Sequence, residues 1–211
     1  YSGLNRPLDF SYFNPFITHF EVELNHRTND FVKNGNRNWN NANGIWQASI
    51  YYKINDFFKA SFNLLIDEFV MDKVEKLKNK GHGLAYSMQF SLSNKNDLNY
   101  KLIHYFSFVK IGTPTFRHGN GNNNFVIRGK PLGWDYGSDT YELKYNLKYL
   151  KSEILFFNLN LGIIEIGDES IIERPYDRYE DYISGKYPSG NTTKQTFFGG
   201  GFEFYYSKNI S

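Results

Sequence analysis

The 211 residues contain no Cys. That excludes disulfide staples and thiolate metal sites. No apolar run approaches the about 18 residues of a membrane-spanning helix. Neither a Met nor an apolar leader precedes Tyr1, so the numbering is expected to begin inside a longer or processed chain. The net charge of +2 lacks the basic excess of a nucleic-acid partner. Also missing are HExxH and paired-ligand spacings among His19, His26, His82, His104 and His118, and the GxSxG of a serine nucleophile. Gly119-Asn120-Gly121 lacks the third glycine and the following helix of a dinucleotide fingerprint.

Aromatic side chains are abundant. Seventeen Tyr and twenty Phe help bring aromatics to 19%, while the mean hydropathy is −0.56. A soluble core draws more on Leu, Val and Ala. A β-barrel in lipid reconciles the two values, because alternate residues face lipid and a wet lumen while aromatics gather at the interfaces. An AT-rich genome would also raise Asn, Lys, Ile, Phe and Tyr.

The dominant period is two. Trp46, Ala48, Ile50 and Tyr52 alternate with Gln47, Ser49, Tyr51 and Lys53. Tyr141, Leu143, Tyr145, Leu147 and Tyr149 alternate with Glu142, Lys144, Asn146 and Lys148, and Leu155, Phe157, Leu159, Leu161 and Ile163 share one face. This is the pattern of half-buried strands. About eight are predicted, near 16–24, 45–55, 57–68, 83–93, 98–111, 138–150, 153–166 and 194–207. Runs of ~10 residues suit tilted membrane-crossing strands better than the ~5–6 of a sandwich. Asn55-Asp56, Asn94 to Asp97 and Lys151-Ser152 read as tight turns. Asn25 to Gly44, Val70 to Gly83, Gly112 to Gly137 and Gly167 to Thr193 read as long polar loops, so short and long connections alternate as in outer-membrane barrels. Val70 to Lys80 could be helix or loop. Lys208 to Ser211 reads as a turn toward a further strand. The expected fold class is therefore all-β: residues 1–211 as part of one transmembrane antiparallel barrel, about half of a larger one, since an open edge in lipid leaves backbone groups unpaired.

Three segments together resemble the Wzi-like capsule assembly family of outer-membrane proteins. They are Asn5-Arg6-Pro7-Leu8-Asp9-Phe10 with Tyr12-Phe13-Asn14-Pro15-Phe16, then Leu64-Leu65-Ile66-Asp67-Glu68-Phe69 with Met71-Asp72, and Arg128-Gly129-Lys130-Pro131-Leu132-Gly133 with Asp135 and Gly137-Ser138-Asp139. They occur in family order. The resemblance implies a barrel of roughly 18 strands in the bacterial outer membrane. It implies a non-catalytic, lectin-like role in capsular or exopolysaccharide assembly, with no cofactor. Trp134 is a departure, at a position where the family often carries His, so the ligand is left open. The implied partners are surface polysaccharide, outer-membrane lipid and lipopolysaccharide, and other envelope proteins.

Arg128, Lys130, Trp134, Asp135, Tyr136 and Asp139 form the densest candidate binding cluster. An aromatic face can stack on a sugar, and a guanidinium can grip a carboxylate bidentately. The alternative is that Gly129 to Gly133 is only a tight reversal, with Arg128 paired to Asp139 inside the barrel. Asp67 and Glu68 are adjacent, so on a strand they face opposite ways and cannot form a glycosidase pair. Glu21, Glu23 and His19 share a face that lumen solvation explains. Asp168, Glu169, Glu173, Asp177, Glu180 and Asp181 lack EF-hand spacing and sit among Arg174 and Arg178, so they read as a solvated loop. Two rivals remain: a diffusion porin or transporter, and a small-barrel outer-membrane enzyme.

Overall fold

Strict alternation of apolar and polar residues produces strands with two unlike faces, and here those strands assemble into one wide antiparallel sheet. The computed structural model describes residues 45–68, 73, 77, 81–94, 99–118, 121, 124–151, 154–177 and 185–206. Nine strands run in chain order: β1 (Trp46–Lys53), β2 (Phe58–Glu68), β3 (Gly83–Ser93), β4 (Tyr100–Ile111), β5 (Val126–Ile127), β6 (Lys130–Pro131), β7 (Thr140–Lys151), β8 (Leu155–Ile166) and β9 (Thr193–Phe204). Seven form the main sheet in the order β1-β2-β3-β4-β7-β8-β9, and β5 pairs with β6 in a small hairpin. Each main strand is antiparallel to its sequence neighbour in the sheet, and among the described residues the sheet is open, with β1 and β9 at its edges.

The register lines up rows of apolar residues on one side of the sheet. Ile50 pairs with Phe62, Phe62 with Met88, and Met88 with Phe108. The row continues through Leu143 and Ile163. A parallel row runs Phe90, Phe106, Tyr145, Leu161, Phe198. Slipping any strand by one residue would turn its apolar set to the other face, so the alternation itself fixes the register. The opposite face carries Ser, Asn and Gln, with Lys53, Lys59, Lys101, Lys144 and Lys148 against Glu142 and Glu203.

The connections alternate in length as expected. Short ones, 54–57, 94–99 and 152–154, lie at one end, while 69–82, 112–139 and 167–192 lie at the other. The first turn is held by the Asn55 side chain, whose Oδ1 accepts the amides of Phe57 and Phe58 at 2.8 and 2.7 Å. This Asx geometry is why Asn serves there. Expected strands agree with observed ones to within a few residues, save that 16–24 lies outside the described residues and β5–β6 was not anticipated. Of 70–80, only Lys73 and Leu77 are described.

Among the described residues the apolar face is exposed. Ile50 is 65% exposed, Leu143 50%, Phe198 77% and Phe202 75%. The buried cluster sits on the other face, at the long-connection end, where Ala85, Val109, Ile111, Phe116, Val126 and Ile171 meet.

Candidate functional site

That buried cluster is made where two long connections fold onto the polar face. Leu65, Ala85 and Ile111 lie in one transverse row of the sheet, continued by Thr140 and Ile166. Leu65, Ala85, Ile111 and Ile166 are apolar residues on a face that is mostly polar. Phe116 and Val126 from 112–139 and Ile171 from 167–192 pack on this row, with Phe125, Trp134 and Tyr176 around them. Burying these side chains removes apolar area from water at ~25 cal/mol per Å², which orders connections that would otherwise run free.

Polar anchors fix the landing. The Asp67 carboxylate accepts the Phe116 amide at 2.5 Å, and Thr115 Oγ1 donates to the Leu84 carbonyl at 3.0 Å. Asp67 therefore secures a loop, at a point where the β2–β3 register shifts. Arg117 is buried and joins the two connections: Nη1 donates to the Glu169 carbonyl at 2.6 Å and its carboxylate at 3.0 Å, and Nη2 to the Asp177 carbonyl at 3.3 Å. Arg174 meets the other Glu169 oxygen at 3.1 Å. Asn124 Nδ2 donates to Asp177 O at 2.8 Å. Within the acidic stretch Glu169 is thus an ion-pair bridge, and Asp168 accepts the Asn191 amide at 2.8 Å. Glu180 and Asp181 lie outside the described residues. Among the described residues no three His, Asp or Glu converge to hold a metal.

The six candidate residues separate into two groups. Arg128 and Lys130 are exposed on the β5–β6 tip. Arg128 (φ 51°) and Gly129 (φ 76°) are its two central residues. Positive φ at both is the type I′ hairpin turn, which glycine tolerates and arginine adopts only at a cost. The Gly129 amide donates to the Tyr176 hydroxyl at 2.9 Å, tying the tip to the second connection. Asp135 is exposed, and Trp134 is half-buried with its ring 6.1 Å from that of Tyr136. A Cβ at Gly133 would collide with the Phe116 ring, so glycine there admits the close approach. The Tyr136 carbonyl accepts Thr140 Oγ1 at 2.9 Å.

Asp139 belongs to a different structure. It is fully buried at φ 55°. Its carboxylate accepts Thr113 Oγ1 at 2.8 Å, the Ser189 amide at 3.1 Å and the Ser189 hydroxyl. Its carbonyl accepts the Gly167 amide at 2.9 Å. Asp139 therefore latches three segments together rather than facing Arg128. Beside it, the Tyr187 hydroxyl donates to the Thr140 carbonyl at 2.6 Å and lies 3.1 Å from that of Ile111. Burial, reinforced by the Asp139 charge, pushes the Tyr187 phenol well above its usual range.

Arg128, Lys130, Trp134 and Asp135 thus lie on one connection stiffened from beneath, at the rim of the sheet. Strained backbone at Phe116, Arg128 and Asp139 clusters in the same place, where strain is held only by well-determined surroundings. No family model, curated protein sequence or solved structure matches the chain.

Proposed function

We propose that this sheet is part of the wall of a bacterial outer-membrane β-barrel that serves surface polysaccharide without catalysing a reaction. Strands beyond β1 and β9 close the barrel, as backbone pairing in lipid requires. The observation carrying the proposal is the apolar face. Its large side chains, at about 200 Å² each, leave on the order of 1,000 Å² exposed, while the largest patch of a soluble monomer is ~300–600 Å². On β7 the face runs from Tyr141 to Tyr149, roughly 27 Å along the strand at ~3.4 Å per residue and roughly 20 Å high at the usual tilt, near the ~25 Å apolar band of such barrels.

The borders of the face support the same reading. Trp46, Tyr86 and Tyr141 lie toward one end, and Tyr52, Tyr100 and Tyr149 toward the other, as aromatic girdles would. Tyr100 and Tyr149 rings are 5.7 Å apart. Lys110 and Glu165 limit the face at the long-connection end. Two polar pairs occur on this face: His104 Nδ1 lies 2.8 Å from the Tyr145 hydroxyl, and the Tyr141 hydroxyl donates to Glu165 at 2.6 Å. Left unpaired, these groups would be costly in hydrocarbon.

In this reading the long connections are extracellular, and the Arg128 tip with Trp134 and Asp135 contacts polysaccharide. Loops held by a rigid barrel are the usual place for recognition. The cationic polar face favours a second reading, an anion-conducting porin. Against it stand the two connections packed across that face. Cells carrying Trp134→Ala or Arg128→Ala should retain less capsular or exopolysaccharide while the protein still shows heat-modifiable gel mobility. Normal retention by both variants would remove this loop from the proposal. A large, steady conductance in planar bilayers would favour the porin.

A further inference from the structure

Below the packed connections the polar face holds a concentration of hydrogen-bond donors that the loop site does not account for. Lys144, Asn146 and Lys148 point to this face of β7, spaced ~6.8 Å apart by the strand repeat. Asn146 pairs in register with Asn160 and Lys148 with Asn158 on β8. Among the described residues neither lysine forms an ion pair. Instead Lys148 lies 5.4 Å from the centre of the Tyr105 ring and Lys144 6.0 Å from that of Phe197. Such contacts hold an ammonium in place at about 0.5–1 kcal/mol each without neutralising it.

The three amides order one another. Asn146 Nδ2 donates to Asn160 Oδ1 and, at 3.4 Å, to Asn158 Oδ1, and Asn160 Nδ2 donates to Asn158 Oδ1 at 2.9 Å. These bonds engage the carbonyls of Asn158 and Asn160 and leave amide N–H groups over, since each Asn carries two donors and a lysine three. The Asn146 carbonyl oxygen is buried and accepts nothing among the described residues. The patch therefore offers two ammonium groups outside any ion pair, with Glu142 one strand repeat from Lys144 on the same face, together with surplus N–H donors, an unpartnered amide oxygen and an aromatic ring. That combination suits a ligand bearing both anionic oxygens and hydroxyls.

We propose that Lys144, Lys148, Asn146, Asn158, Asn160 and Tyr105 form a binding site for an anionic glycan segment, on the inner wall between the packed connections and the short turns. The inference rests on the barrel reading, which makes this face an enclosed lumen. It adds a second site on the opposite side of the loop cap from Arg128 and Trp134, and a substrate class: glycans carrying carboxylate groups. Enclosure lowers the effective dielectric and strengthens both lysines' attraction for an anion.

The test is calorimetric titration of the full-length protein in detergent micelles at low salt, with trigalacturonate and with neutral maltotriose. The parent should bind trigalacturonate at least about tenfold more tightly than maltotriose, and the preference should shrink with added salt. The double substitution Lys144→Gln with Lys148→Gln should lose about tenfold or more in trigalacturonate affinity. The pair Lys144→Arg with Lys148→Arg should keep most of it. Heat-modifiable mobility checks that every variant is folded. A folded parent that ignores trigalacturonate, binds the neutral sugar equally, or binds as well after the Gln substitutions overturns the site. A protein that is monodisperse without detergent overturns the barrel reading instead, so the two failures are distinguishable.

Discussion

Replacing Leu143 with Arg places a charge on the apolar face of β7, whereas Asn146→Arg places the same charge on the polar face. Leu143 is half exposed and sits in the row with Phe108 and Ile163. It is two to three residues from the middle of β7, which at ~3.4 Å per residue and a ~45° tilt is roughly 6 Å from mid-depth. Arg on the lipid face costs ~2–4 kcal/mol at the midplane and ~0–1 near the interface. In the proposed barrel, Leu143→Arg should therefore destabilise the folded state by ~2 kcal/mol. Asn146→Arg disturbs the amide cluster but leaves a hydrated charge, so its cost should stay below ~1 kcal/mol. Urea titration of the full-length protein in lipid vesicles, followed by tryptophan fluorescence, gives both values. Equal costs, or a larger one at Asn146, would refute the assignment of faces.

Three further outcomes follow from the packed connections. Asp139→Ala removes the acceptor for Thr113 and Ser189 and should loosen these segments by ~2–3 kcal/mol, read as faster proteolysis within 167–192 while the sheet stays protected. Tyr187 has a folded value above its unfolded one, so its contribution is fully present below about pH 10 and lost as pH rises further. Protease resistance of the connections should accordingly fall above that pH in the parent. Tyr187→Phe should start lower, having lost the bonds to Thr140 and Ile111, and lack this alkaline step. Gly133→Ala drives a methyl into the buried Phe116 ring, and should raise proteolysis of 112–139 without altering barrel mobility on gels. Unchanged proteolysis in either alanine variant would mean that the interaction in question does not hold the connections down.

Most of the sheet is legible in the chain because period-two alternation specifies strand, face and register at once. Trp46 to Lys53 and Tyr141 to Tyr149 could be assigned residue by residue from it. The turn at Asn55 was equally visible, since Asn bonding to nearby amides is a local property. The packed connections were not. Their signal is the lapse of alternation at Leu65, Val109, Ile111 and Ile164, where apolar side chains stand on the polar face, and it reads only as noise until the register aligns them. Asp139 was grouped with Arg128 because the two are close in sequence. Its real partners, Thr113 and Ser189, are 26 and 50 residues away, a distance no local pattern spans. The β5–β6 hairpin was hidden for another reason: Arg128 occupies a turn position that Asn or Asp usually fills.

The central claim is that one face of this sheet meets lipid and the other does not. A chain with no Cys is suited to a direct test, because each introduced thiol can carry a single spin label. Labels at 143, 145 and 147 and at 144, 146 and 148, with the full-length protein in lipid bilayers, should alternate in accessibility. The first set should be reached by oxygen dissolved in the bilayer, and the second by a water-soluble nickel chelate. Absence of alternation, or chelate access at all six positions, would contradict a membrane-embedded wall.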